Sequence, residues 1–194
     1  MNIGLVALIL GAFAVMGAAA KGTNSQDLAT VQSVDLKRYA GKWYEIARYP
    51  NRFQKDCVGN TTAEYTLKGE GKLEVVNSCV QQNGLTKTAR GVGKIDDKVT
   101  NAKLKVRFAP AILSFIPAVW GDYWILELGP NYEYSVIGDP KREYFWILSR
   151  EPKMDEKLYQ EILRRAEKKG FQPGRVQRTS QKIDVIRGDV IDRS

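Results

Sequence analysis

The side chains that most often do chemistry are scarce here. The chain has 194 residues with 30 Lys and Arg, 22 Asp and Glu, two Cys and no His. Without an imidazole there is no Ser-His-Asp or Cys-His catalysis, no His-ligated haem and few ways to hold zinc. Cys57 and Cys79 stand apart from each other and from other ligand types, so they make no metal site. Cys57 is then either half of a disulfide with Cys79 or the nucleophile of a thiol-dependent isomerase. A two-residue turn at Gly69-Glu70 would set Cys79 opposite Asn60, so a bridge requires the chain to bend back at Gly59. No carboxylate pair is set by the sequence at an acid–base spacing. The residues therefore point to a non-enzymatic protein without metal or cofactor.

Binding is better supported, and it starts from Trp43 in "GKWYEIARYP" (41–50) and Arg150 at the end of "YFWILSR" (144–150). A buried indole needs a partner for its N–H, and a guanidinium stacks well across its face. Such a pair must be brought together by the elements that carry it. Short segments with strand character recur along the chain, bounded by Gly, Pro, Asn or Asp: 43–49, 61–67, 73–80, 88–95, 103–108, 122–128, 133–138 and 144–149. Eight strands with hairpin-length links and no helix between them predict an all-β fold, an antiparallel up-and-down barrel that joins first strand to last. Trp43 then plugs the closed end with Arg150 across it. Period two sends Glu45 and Ala47 inward along the first strand, and Leu148, Trp146 and Tyr144 along the eighth.

One helix is predicted, over 155–169, packed outside the barrel. Leu158, Tyr159, Ile162, Leu163 and Ala166 form its apolar stripe, with Asp155 as cap, Met154 and Tyr159 as a staple and Gly170 as stop. Residues 175–180 could return as a last short strand.

Gly41-x-Trp43, "GPNY" (129–132) and "ILSR" ending at Arg150 match, in order and spacing, the three short motifs of the lipocalins. "KWYEIARYPNRFQK", "EYTL", "GDYW" and "YFWILSREP" resemble most the branch with the bacterial outer-membrane lipocalins and apolipoprotein D. The resemblance covers about residues 34–180. It implies an eight-stranded lipocalin barrel with one C-terminal helix outside, and Gly41, Trp43, Tyr132 and Arg150 as closed-end architecture. It places Tyr134 and Val136 inward on the seventh strand, and Tyr123 and Ile125 inward on the sixth. Two departures stand out: Pro130-Asn131-Tyr132 replaces the acidic second motif of many members, and no Cys follows the leader for lipid attachment.

The expected ligand-binding cavity is thus Glu45, Tyr123, Ile125, Tyr134, Val136, Tyr144 and Trp146. That lining suits an apolar ligand with one polar end, a fatty acid or lysophospholipid, whereas a barrel filled by its own side chains is the competing reading. By the family plan the open end carries the 1–2, 5–6 and 7–8 links. They offer the cations Arg52, Lys55, Lys141 and Arg142, and in "APAILSFIPAVWG" (109–121) the apolar Phe115 and Trp120. This apolar loop is a lid, a homodimer contact or a membrane surface contact.

Residues 1–20 read as a signal peptide, with an uncleaved anchor as the alternative. Then come a linker (21–33), the barrel (34–180) and a tail (181–194). Export to the periplasm or outer membrane follows from that leader, and permits a disulfide. The net charge of +8 lies outside the leader without a long basic run, so nucleic acid is not an expected partner. The function implied by the resemblance is lipid binding, storage or transport for envelope maintenance. The alternatives are the isomerase and a membrane-surface structural protein with no internal ligand.

Overall fold

A computed structural model describes residues 27–69, 71–186 and 189–193; the expected signal peptide and the first six residues of the expected linker, 21–26, lie outside them. Eight antiparallel strands close on themselves: β1 (Gly41–Arg48), β2 (Cys57–Lys68), β3 (Lys72–Gln81), β4 (Thr86–Ile95), β5 (Lys103–Arg107), β6 (Gly121–Leu128), β7 (Tyr134–Gly138) and β8 (Phe145–Ser149). Each pairs with the next, and β1 pairs with both β2 and β8, so the sheet is a barrel. A one-turn helix α1 (Leu36–Tyr39) precedes β1, and α2 (Glu156–Lys168) follows β8. The chain then adds β9 (Gln177–Arg178) to the upper part of β1 and ends in a hairpin of β10 (Ile183–Ile186) and β11 (Asp189–Asp192).

Two apolar clusters divide the molecule. The inner one fills the barrel and includes Trp43, Tyr65, Leu73, Val75, Leu104, Ile125, Ile137 and Leu148. The outer one is the seam between the barrel wall and α2, where Ile46, Tyr49, Leu126, Phe145 and Ile147 meet Tyr159, Ile162 and Ala166. The stripe predicted for α2 is therefore the face it buries, with the Asp155 carboxylate accepting the Leu158 N–H at its start.

Two bulges decide which side chains face in, because an extra residue shifts the alternation by one. In β1 the register slips between Glu45, opposite Leu148, and Ala47, opposite Ile147. Ile46 and Ala47 both fall in the outer cluster and Arg48 turns back inward, opposite Trp146. The expectation that Ala47 faces in is corrected by that slip. In β6 the slip lies between Ile125 and Glu127.

The segment before the barrel is held against it. Val31 and Val34 donate their N–H groups to the carbonyls of Ile125 and Thr100, and Leu28 is buried. The tail is docked too: Gln181 Nε2 donates to the carbonyls of Glu45 and Thr61, and Asn60 exchanges two bonds with the Ile183 backbone.

Candidate functional site: the barrel interior and its mouth

The closed end is built around Trp43, which is 0% exposed. Its Nε1–H donates to the Tyr39 carbonyl at 2.9 Å, and the Arg150 guanidinium carbon lies 3.8 Å from its ring centroid. Arg150 also donates to the carbonyls of Arg38, Tyr39, Ala40 and Lys42 at 2.6 to 3.1 Å, clamping α1 and the start of β1 across the barrel bottom. Burial holds its pKa below the usual guanidinium value. Gly41 has φ +93, and a Cβ there would stand 3.4 Å from Arg150 Nη1. The Tyr132 hydroxyl accepts the Asp35 N–H at 2.8 Å while Arg38 covers its ring. The structure thus brings Gly41, Trp43, Tyr132 and Arg150 together.

Above this plug three tyrosines meet, Tyr39 and Tyr65 buried and Tyr123 partly buried. The Tyr39 and Tyr65 hydroxyls lie 2.7 and 2.9 Å from that of Tyr123, and Tyr39 also reaches the Ser135 hydroxyl at 3.2 Å. Burial pushes the Tyr39 pKa up to about 12, and those of Tyr65 and Tyr123 up as well. Sequence reasoning found only Tyr123. Tyr65 was accessible to it, because on β2 it alternates with the polar Glu64 and Thr66, both exposed. Ser135 was displaced by an error of phase on β7. The Tyr134 hydroxyl donates to Glu127 at 2.7 Å, and Glu127 binds Arg165 of α2. Tyr134 and Val136 therefore belong to the outer cluster, not to the cavity wall, and Ser135 and Ile137 face in. The cause is that every residue of β7 is buried, one face inside the barrel and the other under α2.

Nearer the mouth the interior turns polar on one side. Glu45 is 2% exposed and accepts from Arg48 Nη1 at 2.7 Å, Gln54 Nε2 at 2.5 Å and the Thr179 hydroxyl at 2.6 Å. Trp146 Nε1 donates to Gln54 Oε1 at 3.1 Å, and its ring stacks on Tyr144 at 5.8 Å between centroids. Phe53 lies against Tyr144 at 5.9 Å, so the segment 50–56 folds over this side of the mouth. Arg48 was not expected inside, because no sequence signal marks the β1 bulge that turns it.

The expected mouth cations separate. Arg52, Lys55 and Lys141 are exposed, the first beside Phe53. Arg142 is instead tied to the end of α2, donating through Nε to the Lys169 carbonyl at 2.7 Å and through Nη1 to that of Pro140. It is removed from the rim because Arg142 has φ +59, which aims it at the helix terminus. The apolar loop does not fold inward either. Trp120 packs on the outer wall under Lys94 and near Arg107, while Ile112 and Phe115 are 79% and 78% exposed. Two open depressions, of about 510 and 530 Å³, lie on the outer surface, one beside Glu74, Arg90 and Arg107 and one beside Asp35, Leu67 and Asn101.

Cys57 and Cys79 are bonded, with Cα atoms 5.7 Å apart. The closure uses the irregular stretch expected at Gly59. The β2–β3 register slips on both sides of it, and Asn60 has φ +47. Both cysteines of the chain are in this bond, so the isomerase reading has no thiol. Among the described residues no group of His, Cys, Asp and Glu is placed to hold a metal.

The Trp43–Arg150 plug, the eight-stranded closure and the outer helix form one pattern, and a model of the Lipocalin-like domain matches residues 34–181. The chain belongs to the lipocalin family. Temperature-induced lipocalin-1 of Arabidopsis thaliana is 39% identical over 161 residues, covering 82% of this chain and 86% of the plant protein. The outer membrane lipoprotein Blc of Escherichia coli K12 is 34% identical over 168 residues, covering 86% and 90%. Among solved structures, insecticyanin from the tobacco hornworm Manduca sexta superposes with a TM-score of 0.62 over 79% of this chain and 84% of that one. At 22% identity that likeness concerns the fold. Lipocalins bind and carry small hydrophobic molecules, which is the activity this barrel serves.

Proposed function

We propose that this lipocalin holds a fatty acid or lysophospholipid with its chain inside the barrel and its charged head at the mouth, and stores or carries it for upkeep of a cell envelope. The supporting observation is the inward row Ile125, Ile137 and Trp146, aliphatic and aromatic side chains standing above a sealed floor and below the 50–56 segment. A chain entering there must swing Phe53 and Gln54 off Tyr144 and Trp146. The apolar chain gains roughly 25 cal/mol for each Å² it removes from water, whereas burying an unpaired charged head would cost far more. The head therefore stays at the rim, where Arg52, Lys55 and Lys141 are exposed. An envelope setting is supported by the likeness to a protein named as an outer membrane lipoprotein. With both cysteines bonded and no histidine in the chain, binding rather than catalysis is the reading the residues favour.

The exposed Ile112 and Phe115, on a loop flanked by Lys94 and Arg107, favour a second property, contact of this loop with a membrane surface during loading.

Calorimetry with an anionic fatty acid and a neutral lipid of equal chain length tests the orientation. Arg52→Glu, Lys55→Glu and Lys141→Glu together should weaken the anionic lipid several-fold, less so as salt rises, and leave the neutral one unchanged. Equal weakening of both lipids, or of neither, would overturn the placement of the head.

A further inference from the structure

Among the described residues, three polar atoms in the barrel are buried and lack a hydrogen-bond partner: Arg48 Nε, Thr61 Oγ1 and Asn77 Oδ1. The register puts them on the inner face. Trp43 pairs with Ala63 and Ala63 with Asn77, so Asn77 shares the face of the plug tryptophan. Thr61 follows Ala63 and Tyr65 in the buried alternation of β2 and is 5% exposed. Arg48 shares its face with Trp146 and Ile137. The three come from neighbouring strands, β1, β2 and β3, below the mouth. A buried donor or acceptor left unpaired costs about 1–3 kcal/mol, so such a group is satisfied by water or by a ligand.

We infer that this wall is a subsite for an uncharged hydroxyl carried partway along the lipid chain. Its donor and acceptor sense fits: a hydroxyl can accept from Arg48 Nε–H or the Thr61 hydroxyl and donate to Asn77 Oδ1. Its charge fits as well. The Arg48 guanidinium is already paired with Glu45 at 2.7 Å, so the wall has no net charge to offer an anion, and a carboxylate or phosphate placed there would face the Glu45 carboxylate. The two orphan atoms on the outer wall and in its edge, Trp124 Nε1 and Arg107 Nε, lie on side chains that face away from the interior and take no part.

The inference rests on the proposed lipid reading and narrows the ligand to hydroxylated chains. Two probes of the same length and head charge isolate it: stearate, and a hydroxystearate bearing its hydroxyl in mid-chain, each titrated into the full chain by calorimetry. The hydroxylated lipid should bind roughly five- to tenfold more tightly, the ratio set by one hydrogen bond of ordinary net strength. Thr61→Val with Asn77→Leu should erase that preference, read as the ratio of the two affinities within the same variant. Equal affinity of the wild-type protein for both probes, or a preference that survives the double substitution, overturns the subsite and leaves ordered water as the partner of these atoms. Failure of both lipids to bind overturns the lipid reading itself, and with it the subsite. The wild-type comparison needs no variant, so a folding defect in the double mutant cannot rescue the idea.

Discussion

Removing the plug is the sharpest test of how the barrel is closed. Trp43 is wholly buried, its ring lies 5.0 Å from that of Tyr39, and the Arg150 guanidinium covers its other side. Trp43→Ala loses the transfer free energy of an indole and leaves a cavity at a floor tied to β8 by Arg150, for a cost of about 3–5 kcal/mol. The cation–π contact falls within that figure. Arg150 still donates to five backbone carbonyls after the ring is gone, so no stranded charge is added. Trp43→Phe keeps a ring under the guanidinium and forfeits chiefly the Nε1 bond, whose acceptor, the Tyr39 carbonyl, retains Arg150. It should cost about 1–2 kcal/mol. Urea denaturation read by circular dichroism gives both values, and lipid affinity per folded molecule should change little. If Trp43→Ala came within about 1 kcal/mol of wild type, below the range for such truncations, the floor would not depend on the indole.

Two further outcomes follow from the same geometry. Tyr39 has its folded pKa raised from 10.0 to about 12, so its contribution is intact below pH 10 and is lost as pH climbs through about 12, with Tyr65 and Tyr123 shifted the same way. Unfolding free energy should fall across that window, and Tyr39→Phe should flatten the fall; a stability independent of pH there would contradict the buried hydroxyl cluster. Ile112→Ser with Phe115→Ser should lower co-sedimentation with anionic vesicles and leave fatty acid affinity unchanged. Unchanged vesicle binding would remove the surface reading, and a loss of self-association instead would identify the loop as a contact between copies.

The eight strands and the outer helix were legible because turn residues and the two periodicities mark them directly. Facing was legible only where one side of a strand is wet. On β2, Ala63 and Tyr65 alternate with exposed Glu64 and Thr66, so the inner set can be counted from the sequence. On β7 both faces are buried, and Tyr134 to Gly138 carries no alternation to count. The pairing of Leu148 with Ser135 would have fixed it, but that needs the register. Arg48 and Arg142 were misplaced for a related reason. A bulge turns one inward and a left-handed residue turns the other toward α2, and neither device has a glycine to announce it. The Cys57–Cys79 bond was legible as a requirement on Gly59, and the slips on both sides of that glycine meet it.

In the proposed loading a lipid chain enters the barrel past Trp146, and intrinsic fluorescence reports that passage. Of the four tryptophans, Trp43 is sealed in the floor, Trp120 and Trp124 lie on the outer wall, and Trp146 stands on the inner face beside Gln54. Titration with a long-chain fatty acid should change the emission of the wild-type protein. Trp146→Phe should remove most of that change and Trp43→Phe should leave it intact. An emission change that survives Trp146→Phe, or that is lost equally from both variants, would place the lipid somewhere other than the interior described here.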